Sequence, residues 1–268
     1  LIEEHFMDDE HLLTALDDAG VFTITLNRPK ANAFDTPMAK AAQAAFKEAR
    51  KNDAVRCVLL RAEGKLFSAG QDVGEFQGDE DRSFREHLKA TYNPLILAMR
   101  GLEKPVLVAI NGAVAGAALG IVLAADLRIA SESAMFYVGF SGIGLAPDSA
   151  VSLMLPLVIG LGRAAQAAYL NDPISAQQAL EWGLLNAVVA PDKLDEEAAA
   201  WAKRLADGPV NAMGLTKRDF NRALLSKLGD QLDYEAHVQD IAGRGPDHKA
   251  GLSAFLEKRD PDYRKVDN

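Results

Sequence analysis

The sequence predicts a layered α/β fold followed by a helical tail. Two observations carry the prediction. Short β-rich runs come in pairs before helical stretches, which excludes a plain alternating βα barrel. After Pro209 no strand signal remains. The 268 residues suit one large domain with an appended piece. We divide them into a core, residues 1–205, and a helical region, residues 206–268.

The elements follow in order. VFTITL (21–26) reads as a strand that ends in Asn27-Arg28-Pro29. Thr36-Pro37 reads as a cap followed by proline at the first helical position. Met38, Ala42, Ala45, Phe46 and Ala49 then give that helix an apolar face. VRCVLLR (55–61) is the next strand, and KLFSAGQDVGEF (65–76) is turn-rich and opens a helix. Residues 83–102 read as helical, with Phe84, Leu88, Leu95, Leu97 and Met99 as apolar positions. PVLVAI (105–110) is a strand, and residues 116–124 form a helix so rich in Ala and Gly that it must be packed on all sides. DLRIA (126–130) and AMFYVG (134–139) are short strands. From Ala150 the chain is mainly helical, with NAVVAP (186–191) as a late strand.

Composition excludes several functions. The net charge of −9 argues against nucleic acid as a main partner. The acids gather at residues 1–18, 72–86 and 192–197, which read as solvated surface. The opening LIEEHFMDDEHL is acidic and lacks the apolar core of a secretory signal; whether residues 1–6 are native, or Met7 is the natural start, is left open. The one cysteine, Cys57, sits in an apolar strand and reads as core, in keeping with a reducing cytoplasm. Residues 105–125 carry no charge and are long enough for a bilayer. Asn111-Gly112 breaks them into strand, turn and buried helix. The five histidines are scattered without ligand spacing, so no metal site is assigned and most are expected at the surface. GLGRAA (160–165) matches G-x-G-x-x-A, but the strand that a dinucleotide fold needs next does not follow.

Two segments suggest chemistry. In FSAGQD (67–72) the Ala-Gly pair lets the backbone approach a ligand, and the next N–H, that of Gln71, points outward. NGAVAGAALG (111–120) repeats the idea, with the Ala117 N–H among the unpaired donors at a helix start. Two such donors converging on one point make an oxyanion hole, aided by the helix dipole. The alternative is that these small residues only let helices pack closely.

Taken together, the motifs resemble the crotonase superfamily, the enoyl-CoA hydratases and isomerases, over almost the whole chain. TLNRPKANAF (25–34) is similar to the N-terminal signature, FSAGQDVGEF (67–76) to the first oxyanion motif and residues 104–131 to the second. ISAQQALEWGLLNAVV (174–189) and LSAFLEKRDPDY (252–263) also fit. The resemblance implies a spiral of ββα repeats with a C-terminal helical trimerisation region. It implies a cytoplasmic homotrimer or dimer of trimers, without a membrane partner. The substrate would be an acyl-CoA thioester, with no separate cofactor. Carried over by position, the Gln71 and Ala117 amides hold the thioester oxygen. Ala69, Gly70, Asp72, Val73, Gly74, Gly116 and Phe140 join Gln71 in contacting substrate. Lys30, Ala31 and Ala33 lie near the adenine, and Phe255 and Lys258 approach CoA from a neighbouring subunit.

The chain departs from the hydratases of that family, which carry two glutamates. The matching positions are Gly120 and Phe140, and neither can transfer a proton. The pocket is left with Asp148, in GIGLAPDSAVS (142–152), which aligns with the working aspartate of several isomerases and of one dehalogenase class. YNPLILAMRGLEKPV with GLAPDS most resembles the ring-epoxide enoyl-CoA isomerases of phenylacetate breakdown. AALGIVLAAD also resembles the aryl-CoA dehalogenases, but these need a histidine where Asn93 stands. Asp148 is therefore expected to shuttle a proton, its pKa raised among Phe140, Ile143, Leu145 and Val151. The competing reading makes it only the cap of a helix starting near Ser149. Glu75 is the rival carboxylate. Phe76, Met135, Tyr137 and Phe140 are candidates for shaping the acyl pocket. A hydratase with an unusual acid and a silent acyl-CoA-binding trimer stand as alternatives.

Overall fold

The computed structural model describes residues 8–9, 11–76 and 83–266; residues 1–6 and the Phe76 side chain fall outside the described residues. Its elements run β1 (Asp8–Asp9), β2 (Leu12–Leu16), β3 (Val21–Leu26), α1 (Thr36–Lys51), β4 (Cys57–Ala62), α2 (Phe84–Ala90), α3 (Tyr92–Arg100), β5 (Val106–Ile110) and β6 (Val114–Ala115). Then come α4 (Ala117–Ala124), β7 (Leu127–Ser131), β8 (Met135–Tyr137), α5 (Val151–Ile159), α6 (Leu161–Leu170), β9 (Ile174–Ser175), α7 (Ala176–Glu181) and β10 (Ala187–Val189). Helices α8 (Leu194–Ala206), α9 (Val210–Leu224), α10 (Leu228–Arg244) and α11 (Pro246–Leu256) complete the chain.

Each turn of chain adds one strand to each of two sheets. The large sheet has the order β1-β2-β3-β4-β5-β7-β10, parallel from β3 onward. The small sheet has the order β6-β8-β9, and single bridges Ser68–Val114 and Phe34–Gln71 extend its line toward the N-terminus. Thus β5, β6 and α4 make one turn, and β7, β8 and α5 make the next. The repeat buries the helices against both sheets.

Several local expectations change. Strand β2, inside the acidic stretch 1–18 that reads as solvated surface, pairs antiparallel with β3. Asp35, not Thr36, caps α1 by accepting the Met38 amide at 2.9 Å. The helical stretch expected over 83–102 is present as two helices that meet at Thr91, whose hydroxyl turns back to the His87 carbonyl at 2.6 Å. Residues 105–125 divide into β5, β6 and α4, and every residue of α4 is buried. Among the described residues no helix is long and apolar enough to cross a membrane. Cys57 is fully buried, and desolvation pushes its thiol up to about 12.

Candidate active site

A cavity of about 520 Å³ opens where the starts of α2, α3 and α4 meet the loop after β8 and helices α10 and α11. Its floor is made by the two glycine-rich segments. Gly70 has φ +83, and a Cβ there would stand 2.5 Å from the Ala115 oxygen and 3.3 Å from the Ala117 nitrogen. Only glycine lets the two segments approach this closely. Phe34 donates to the Gly70 carbonyl and accepts from the Asp72 amide, at 2.7 and 2.8 Å, so the Gln71 N–H between them faces away from Phe34. Ala117 is the first residue of α4. Among the described residues no acceptor takes either amide proton. Both residues line the cavity.

The Gln71 side chain is tied down separately. Tyr92 Oη donates to its Oε1 at 2.9 Å, and His87 Nε2 lies 2.8 Å from the same oxygen. Its Nε2 donates to Glu75 at 2.8 Å. Glu75 also accepts the Thr36 amide at the start of α1. This carboxylate is outside the cavity wall and supports the loop, which removes it as a rival proton carrier. His87 and His248 are buried and line the cavity, while His237 is exposed. His248 Nδ1 pairs with the Ile143 carbonyl at 2.8 Å. Asn93 is also buried and donates to Leu232 instead of facing the cavity.

Asp148 lies on the same cavity with 6% exposure. The helix that follows starts at Val151, not near Ser149, because Ser149 and Ala150 take left-handed φ values of 55° and 67°. Its first amides are accepted by a different acid. Glu235 on α10 takes the Ala150 N–H at 2.7 Å and the Ser152 N–H at 3.1 Å. The Asp148 carboxylate instead accepts from Ser149 Oγ and from Gln239 Nε2, both at 2.8 Å. The capping reading of its side chain is thereby replaced. Desolvation raises its pKa to about 6 against the opposing pull of those two hydrogen bonds. Gly120 explains how the turn fits: any Cβ there would collide with the Ser149 carbonyl oxygen.

The remaining candidates divide. Ala33, Ala69, Asp72, Val73, Gly116, Tyr137 and Phe140 line the cavity, but Lys30, Ala31, Gly70, Gly74, Met135 and Lys258 do not. Lys30 edges a separate depression of about 300 Å³ beside Arg28 and Lys65. Asp72 is held by Arg28 at 2.7 Å. Phe255 of α11 lines the cavity of its own chain. Glu235, Gln239, His87 and Tyr92 escaped the sequence reading, because nothing local to them signals a distant partner.

Comparison with known proteins gives this geometry a family. Residues 17–266 match the family model described as enoyl-CoA hydratase/isomerase. The chain is 39% identical to the 1,2-epoxyphenylacetyl-CoA isomerase of Escherichia coli, over 92% of this chain and 95% of the relative. It is 35% identical to the trans-2-decenoyl-(acyl-carrier-protein) isomerase of Streptococcus mutans, over 96% and 99%. The crystal structure of an enoyl-CoA hydratase from Mycobacterium avium subsp. paratuberculosis superposes with a TM-score of 0.86 at 33% identity, covering 94% of this chain and 98% of that one. The chain belongs to the enoyl-CoA hydratase/isomerase family of the crotonase superfamily and has its fold.

Proposed function

We propose that the protein is an enoyl-CoA isomerase with Asp148 as its base and acid. The carboxylate removes a proton beside the thioester and returns it two carbons away. The dienolate oxygen formed between these steps is held by the Gln71 and Ala117 amides. No cofactor beyond the CoA thioester takes part, and the working form is a homotrimer or a dimer of trimers. One observation carries the reading: Asp148 shares a cavity with both free amides, and its side chain is not spent on the helix start. Asp72, the other carboxylate on the wall among the described residues, is committed to Arg28. A glutamate at position 120 would need the volume of the Ser149 backbone, which disfavours a two-glutamate hydratase. Two of the relatives are named isomerases of thioesters, one of a CoA ester and one of an acyl-carrier-protein ester.

The test follows absorbance with 3-enoyl-CoA and with 2-enoyl-CoA on wild type and Asp148→Asn. The wild type should isomerise, and the variant should lose about 10²–10⁴-fold in kcat with KM nearly unchanged. Isomerisation surviving in the variant would overturn Asp148. Hydration of 2-enoyl-CoA by both proteins would favour a hydratase, and CoA-ester binding without turnover a silent binder.

A further inference from the structure

Helix α10 runs behind the Asp148 turn and meets it with two side chains one helical turn apart. Glu235 is 2% exposed, and its carboxylate receives the Ala150 amide, the Ser152 amide and the Ser152 hydroxyl. These contacts brace Ser149 and Ala150, whose left-handed conformations persist only where surroundings impose them. Gln239 is 1% exposed and accepts the Ala146 N–H at 3.1 Å through Oε1. That bond leaves only its N–H₂ group to face Asp148, where it meets Oδ2 at 2.8 Å. The other oxygen, Oδ1, faces the Ser149 hydroxyl, which can donate or accept.

We propose that α10 is the positioning frame of the proposed base: Glu235 holds the turn that aims Asp148, and Gln239 reserves Oδ2 as an acceptor so that Oδ1 carries the exchanged proton. The inference rests on the isomerase reading and adds two positioning residues to it. Neither forms part of the motifs by which the chain was read.

The groups facing Asp148 set the test. Ser149 lies on its own turn, Glu235 and Gln239 on α10 and Tyr92 on α3. His87 of α2 and His248 of α11 share the cavity. Gln239 donates to the ionised carboxylate, so removing it raises the pKa of the base. Activity rises with pH as the base ionises. In Gln239→Met that rising limb of kcat/KM should therefore move up by about one unit. Near pH 6 the variant should be roughly fivefold slower than wild type, and near pH 8.5 the two should converge. Packing loss alone would slow the enzyme equally at every pH. Glu235→Gln should lower kcat about tenfold or more with KM for the CoA ester unchanged, because the brace on the turn is weakened. If Glu235→Gln does not fold, Gln239→Met decides alone. A wild-type limb in Gln239→Met, or an equal loss at every pH, overturns the frame. If Asp148→Asn is inactive in that same series, the isomerase reading survives its loss. Full activity in Asp148→Asn overturns both.

Discussion

Burial raises Asp148 from 3.8 to about 6 and Glu235 from 4.5 to about 7, with desolvation the largest cause in each. A carboxyl whose pKa is higher in the folded state penalises folding once it must ionise. The penalty is absent below the unfolded pKa, grows as pH rises toward the folded value and is constant above it. For Asp148 the window runs from about pH 4 to about pH 6, and the cost above it is on the order of 3 kcal/mol. Asp148→Asn should therefore be inactive yet raise Tm by about 8 °C at pH 8, and the gain should fade toward pH 4. Thermal scans across that range check this, and a lowered Tm at pH 8 contradicts it. At this scale Asp148 was legible because it is a single acid in an uncharged stretch. Gln239 was not, since its partner lies 91 residues away.

Elements show how a local rule yields to a neighbour. Asp35 caps α1 because its extended backbone turns its carboxylate onto the Met38 amide; Thr36, already inside the helix, has its own amide taken by Glu75. The start of α5 is a larger case. Its amides are answered by Glu235, a tertiary partner, which leaves Asp148 available to the cavity. Helix α4 contributes by lacking a side chain at Gly120, where the turn rests. Gly120→Ala must push that backbone away, at a cost of about 1–3 kcal/mol. We expect a lower urea midpoint together with reduced kcat on 3-enoyl-CoA. Unchanged values for both would show that the turn has room to spare.

Across the whole molecule, Asp126 ties the tail to the core. It accepts from the Val106 amide of β5 at 2.9 Å, from Arg100 of α3 at 2.9 Å and from Lys217 of α9 at 2.8 Å. Lys217 is only 6% exposed, and desolvation lowers its pKa against the pull of Asp126. Asp126→Ala leaves both cations unmatched and should cost about 3 kcal/mol. Chemical denaturation should show that loss, while the folded fraction keeps its kcat because the cavity lies elsewhere. An unaltered midpoint would mean that α9 is held by apolar packing alone.

Resemblance to a family singled out Asp148; the sequence by itself determined the layered α/β class, the buried α4 and the glycine-rich segments that bare two amides. These depend on periodicity and backbone freedom, which act over a few residues. Only the tertiary structure decided that Glu235 takes over the helix start, that Gln239 holds Asp148 and that His87 and Tyr92 anchor Gln71. Such contacts join residues far apart in the chain, and their geometry follows from how all the layers pack together.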